Sequence, residues 1–208
     1  PRPVALDLSE TMPDQFSLPG FDTAPKRRRE PHPRPLHTLF FAILPPASGL
    51  LGIEQRARAL LLQHGLTGKP IRADRKHVTL ISLGGYDAAV PTDLVEAAGA
   101  VASALVMPRF EVAFDKAMSF AGSGAFVLTG DDAAAPINSF RKALDQALAR
   151  AGLRTWPSNT AHMTLAYSDR QIAAYSIEPL RWVAEDFVLI DSLVGQTVHR
   201  HLGRWSLR

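Results

Sequence analysis

The chain contains no cysteine, which excludes disulfide staples and thiolate metal sites and leaves burial to hold the fold. No apolar run approaches the length of a membrane span. The first ten residues carry neither the basic region nor the apolar stretch of a secretion signal. A cytoplasmic protein with no membrane partner is expected. Neither sign of charge dominates, the formal net charge being +3; that balance is compatible with an anionic ligand without specifying one. No glycine-rich nucleotide loop is present either, because Gly122-Ser123-Gly124 is too short for one and reads as a turn. What remains is an ordinary globular composition, 46% hydrophobic and 21% charged, in 208 residues. That length suits one domain or two small lobes sharing a core, and nothing in it demands more than a monomer.

Residues 1–36 read as a Pro/Arg-rich, poorly ordered extension. Lys26, Arg27, Arg28, Arg29 and Arg34 follow a stretch holding Asp7, Glu10, Asp14 and Asp22, and the prolines deny it a regular helix or central strand. The basic run suits RNA phosphates or plain solvation. The compact domain is expected over residues 37–208, with short apolar strands and amphipathic helices in an α+β pattern. Leu39–Leu44 reads as a strand stopped by Pro45-Pro46. Ser48 and Thr92 are placed to cap helices carrying Leu50, Ile53, Ala57 and Leu60, and Val95, Ala98, Ala102 and Leu105. Ile137, Phe140, Leu144, Ala147 and Ala151 mark a third helix ending at Gly152. Strands are predicted at Lys76–Leu83 (closed by Gly84-Gly85), at Phe110–Phe114, Ala125–Thr129, Ala161–Tyr167 and Phe187–Val194, and over Thr197–Leu207.

Two short motifs carry the chemistry: His77-Val78-Thr79-Leu80 and His162-Met163-Thr164-Leu165, at matching places in two similar halves. On a strand, alternation turns His77 and Thr79 to one face and Val78 and Leu80 to the other, and the second motif repeats this. Two such strands across a groove would offer two imidazoles and two hydroxyls to one ligand. A neutral imidazole can take a proton from an attacking hydroxyl while a protonated one gives a proton to the leaving oxygen. Threonine hydroxyls can bind the non-bridging oxygens of a phosphate. Chance alone would place two His-x-Thr-Leu matches in roughly one chain per thousand of this composition, so the pair is read as functional.

On these residues the chain resembles the 2′–5′ RNA ligase and cyclic nucleotide phosphodiesterase branch of the 2H phosphoesterases. Leu39-Phe40-Phe41-Ala42-Ile43 followed by Pro45, and the ending Asp191-Ser192 with Trp205-Ser206-Leu207, are similar to that family's first strand and closing hairpin. The resemblance implies a bilobal α+β fold with pseudo-symmetric lobes of antiparallel strands, helices outside and a central groove. It implies His77, Thr79, His162 and Thr164 as catalytic residues that need no metal or cofactor. The implied activities are hydrolysis of 2′,3′-cyclic phosphates to 2′-phosphates and 2′–5′ joining of RNA, with RNA ends or nucleotide 2′,3′-cyclic phosphates as partners. The chain departs from the family pattern at Ala161, where proline is common, at Tyr167 and Arg170 in the neighbourhood of a common arginine, and at His199 in place of an aromatic residue.

Tyr167, Arg170, Arg75 and His199 are the candidate substrate-binding residues, Tyr167 by stacking on a base. Arg72 and Lys76, beside Arg75, are further candidates for holding a phosphate. His199 and His201 are spaced to begin a metal site, but spacing supplies no third ligand. His32, His37 and His64 show no recognisable partners. A non-catalytic module that binds RNA ends is the alternative reading; binding alone, however, has no use for two titratable groups.

Overall fold

The computed structural model describes residues 35–131, 134–158 and 160–208. The extension assigned to residues 1–36 lies outside these except for its last two positions. The described residues form an α+β domain in which every strand pairing is antiparallel. One lobe contains β1 (His37–Ile43), β2 (Val78–Tyr86), β8 (Asp186–Leu193) and β9 (Val198–Ser206), ordered β2-β1-β8-β9 from the centre outward. The other contains β3 (Phe110–Ser119), β4 (Ala125–Thr129), β6 (His162–Tyr167) and β7 (Tyr175–Ala184), ordered β6-β4-β3-β7. A two-residue strand, β5 (Trp156–Pro157), rides on β2.

The repeat seen in the sequence is a strand, a helix and a motif strand. In the first lobe β1 leads through α1 (Ala47–Gln63) to β2, and in the second β4 leads through α3 (Ala135–Arg150) to β6. Both helices end in the same way. Gly65 and Gly152 take left-handed backbone, φ 59° and 76°, which glycine adopts without steric cost. In each case the next residue, Leu66 or Leu153, donates back to the helix at Leu61 or Leu148, closing a Schellman motif. The helix starts differ from expectation. Neither Ser48 nor Thr92 caps: Pro46 and Pro91 occupy the cap positions of α1 and of α2 (Thr92–Ala104), with no side-chain hydrogen bond. A proline there holds extended backbone and sends the chain straight into its first turn.

One face of the sheet carries the main core. Ile53, Ala57, Leu60 and Leu61 of α1, Ala98 and Ala102 of α2, and Ile137, Phe140, Leu144 and Leu148 of α3 are buried against it. Phe187 stands at a ring junction, 5.1 Å from Phe140, 5.5 Å from Trp205 and 5.9 Å from Phe41. On the opposite face Phe40, Ala42, Val188 and Ile190 make a smaller apolar cluster.

Two further differences from the sequence reading concern strands. Gly84-Gly85 does not close β2, which runs on to Tyr86 because β1 pairs with it across a bulge near Leu39 and Phe40. The outermost strand β7 is absent from the sequence reading. It contains Pro179, and its register against β3 shifts between Phe114 and Lys116. Proline is tolerated at such an edge, where its missing donor costs no pairing.

The loop after α1 passes very close to β6: a Cβ added at Gly68 would stand 2.0 Å from the Tyr167 carbonyl oxygen. Gly68→Ala is therefore expected to lose about 2 kcal/mol or more, since backbone must move. Gly52, exposed on α1 with nothing within 4 Å of an added Cβ, should gain about 0.5–1 kcal/mol on change to alanine. Urea midpoints of the two variants check both signs.

Candidate active site

The lobes meet through one strand pair, Val78 opposite Met163, the second residue of each motif. Both side chains are fully buried, as are Leu80 and Leu165. Antiparallel register about this pair sets His77 beside Thr164 and Thr79 beside His162, and alternation turns these four away from the core. All four line one cavity of about 240 Å³, together with Ile71, Arg75 and Tyr167. The segments leading into the motifs are exchanged between strands. Pro70 pairs with Ala166, and the Ile71 N–H donates to the Leu165 carbonyl at 2.7 Å. Reciprocally, Trp156 and Pro157 pair with Ser82 and Ile81 of β2.

Each histidine is oriented through its own backbone. The His77 Nδ1–H donates to the Arg75 carbonyl at 2.7 Å, and the His162 Nδ1–H donates to the Thr160 carbonyl at 2.8 Å. A carbonyl only accepts, so the neutral rings carry their proton on Nδ1 and keep Nε2 as a free base. An aromatic ring flanks each one: Phe40 lies 5.1 Å from His77 and Phe120 lies 4.9 Å from His162. Burial pushes both imidazoles below their ordinary pKa, opposed by these carbonyl bonds. The charges of His162 and Arg75 add to the depression at His77, and that of Arg141 adds to it at His162.

The remaining candidates are distributed around this cavity. Arg75 lines it and its Nη2 meets the His199 Nε2 at 3.4 Å. His199 packs against His77, ring centres 5.2 Å apart, and faces a separate cavity with Arg72, Asp74 and His201. Burial and the neighbouring His77, Arg75 and His201 push His199 down to about 4. Tyr167 also lines a larger cavity of about 480 Å³ that contains Thr67, Ser123, Ser168, Asp169 and Arg170. Arg170 is absent from the two-histidine cavity; its guanidinium donates to the His64 carbonyl at 2.7 Å. Arg72 turns outward to pair with Asp74 at 2.7 Å, and Lys76 is buried on the opposite side. Among the described residues His199 and His201 gain no third His, Cys, Asp or Glu in a cluster able to hold a metal ion.

Sequence reasoning missed two histidine environments. The His37 Nδ1 lies 2.9 Å from the buried Asp191 carboxylate, and the His64 ring lies 4.9 Å from Tyr175. His32 falls outside the described residues. No helix among those residues is long and apolar enough to cross a membrane.

The profile of the 2′-5′ RNA ligase superfamily matches residues 46–194. The chain belongs to this superfamily, within the 2H phosphoesterases, and is thereby a phosphoesterase-type enzyme. No curated protein matches its sequence. Solved structures share the fold. A crystal structure described as a phosphoesterase has TM-score 0.63 and 24% identity, covering 85% of this chain and 99% of its own. Escherichia coli LigT, complexed with 3′-AMP, has TM-score 0.61 and 24% identity over 84% and 98%. The Thermus thermophilus protein TT0787 has TM-score 0.64 and 20% identity over 82% and 98%.

Burial lowers His77, His162, His199 and His201 below the ordinary imidazole value. The unfolded chain therefore takes up protons first as pH falls. Their contribution to stability is complete above about pH 6.5 and is lost on acidification, the His199 part extending down to about 4. The urea midpoint should be lower at pH 4.5 than at pH 7.5, and the decline should be shallower in His199→Phe.

Proposed function

We propose that this enzyme opens 2′,3′-cyclic phosphates of RNA ends or nucleotides to 2′-phosphates, and joins RNA 2′–5′ when a ribose hydroxyl replaces water. The observation that carries this reading is the pair of imidazoles, each with Nδ1 tied to a carbonyl, lining one cavity with two threonines. One Nε2 takes the proton of the attacking water or 5′-hydroxyl as the new P–O bond forms. The P–O3′ bond breaks, and the other imidazole, protonated, gives its proton to the departing 3′ oxygen. Thr79 and Thr164 donate to the non-bridging oxygens, where charge gathers. The proton received by the first imidazole is returned to solvent. Hydrolysis and ligation share one site because they differ only in the attacking oxygen, and the two imidazoles exchange roles when the ligation runs in reverse. These side chains supply every proton transfer, so the scheme calls on no metal or cofactor.

Tyr167 lines both the two-histidine cavity and the larger one beside it. In this reading the reacting phosphate occupies the first cavity and the attached nucleoside extends past Tyr167 into the second. Arg75 provides positive charge beside the phosphate, and its partner His199 buttresses His77. The nucleotide in the LigT complex supports a ligand of this class.

With adenosine 2′,3′-cyclic phosphate and EDTA present, His77→Ala and His162→Ala should each reduce turnover by about 10²- to 10⁴-fold. Folded variants with undiminished rates would remove the proposal, and tight RNA binding by a wild type lacking turnover would point to a binding module. Since both imidazoles are depressed, the kcat/KM optimum should lie on the acid side of about pH 6.5, falling as pH rises and the acid loses its proton. Tyr167→Ala should raise KM by about fivefold or more and change kcat little.

A further inference from the structure

Two cations are buried behind the motifs with little to neutralise them. Arg141 of α3 is 6% exposed and Lys76 is 2% exposed. Arg141 forms no ion pair among the described residues. Its Nη1 donates to the Ser158 carbonyl at 2.6 Å and to Asn138 Oδ1 at 3.3 Å, while Nε and Nη2 are buried without partners. Lys76 donates to the Ile71 carbonyl and has Glu54 no closer than 3.9 Å. Burying a cation so weakly compensated is costly, and a methionine of similar length would avoid the cost.

What the two cations share is where they grip. Ser158 and Ile71 belong to the segments that lead into His162 and His77, and those segments also contain the carbonyls of Thr160 and Arg75 that orient the two rings. Other bonds brace the same segments: Thr129 Oγ1 donates to the Ala161 carbonyl at 3.0 Å, and the Ile71 N–H donates to Leu165.

We propose that Arg141 and Lys76 are positioning residues, one for each motif, which hold from behind, at the Ser158 and Ile71 carbonyls, the segments whose Thr160 and Arg75 carbonyls fix the direction of the His162 and His77 rings. The roles of the two histidines are those proposed above, and the claim rests on that reading for its effect on turnover. Arg141 also acts through its charge. The groups that bear on His162 are Arg141 behind it, His77 across the cavity and Phe120 at its ring edge, and the Arg141 charge adds to the depression that burial causes. Arg141 thus favours the neutral form of His162, and an anionic substrate offsets the same charge.

The test pairs an NMR titration of the His162 ring in the ligand-free protein with steady-state hydrolysis of adenosine 2′,3′-cyclic phosphate. Arg141→Met should raise the His162 midpoint and lower kcat about tenfold or more, with KM little changed. Arg141→Lys, which restores the charge and one donor, should return the midpoint and most of kcat. Lys76→Met should lower kcat comparably while leaving the His162 midpoint in place. A folded Arg141→Met with both midpoint and kcat unchanged overturns the proposal. If that variant does not fold, Arg141→Gln keeps a donor for Ser158 without the charge, and an unchanged midpoint there overturns it equally. Because the titration needs no substrate, it tests the Arg141 part of the proposal even if the wild type fails to turn over this nucleotide.

Discussion

The site depends on the pairing of the two motif strands, Val78 against Met163. Each of these residues is the apolar spacer of a His-x-Thr motif, and each is fully buried. Their pairing therefore does two things at once: it joins the two four-stranded halves into one sheet and it sets the relative height of the motifs. A slip of one residue would turn one His–Thr pair into the core and its apolar neighbours outward. Burial of Val78, Leu80, Met163 and Leu165 strongly disfavours that alternative.

The pairing goes no further because each motif strand gives its remaining edge to the segment that leads into the other motif. Pro70 and Ile71 occupy β6 beyond Leu165, and Trp156 and Pro157 occupy β2 beyond Leu80. β2 and β6 are thus kept from closing into a continuous ladder. The same exchange means that the segments orienting His77 and His162 are anchored on the opposite motif strand.

The electrostatics follow from this placement. Two imidazoles set into a sheet surface beside Phe40 and Phe120 are poorly solvated, so their charged forms are disfavoured. Arg75 at the cavity and Arg141 behind it push the same way. In the proposed function, positive bias and neutral bases favour an anionic ligand, which relieves the bias and lets one imidazole hold a proton. The geometry supplies the reason that these residues would bind such a ligand.

Much of this architecture is legible in the chain alone. Apolar spacing reveals α1, α2 and α3, and Gly65 and Gly152 mark two of their ends. Alternation within the motifs decides which side chains share a face, since this is a property of the strand backbone alone. Other elements leave no local signal. β7 contains a proline and lies at an edge, where pairing overrides propensity, and β5 is two residues long. Lys76 reads as a phosphate ligand beside Arg75, yet alternation from His77 sends it into the interior. Nothing local marks Arg141 or Asp191 as buried; only the fold brings the Ser158 carbonyl and His37 to them. By itself, then, the sequence singled out the four candidate residues and the face that each motif's pair shares, because those depend on neighbours two positions apart. That the two motifs meet, which segments cover their edges and which cations stand behind them was decided only by tertiary structure, because each rests on contacts between residues far apart in the chain.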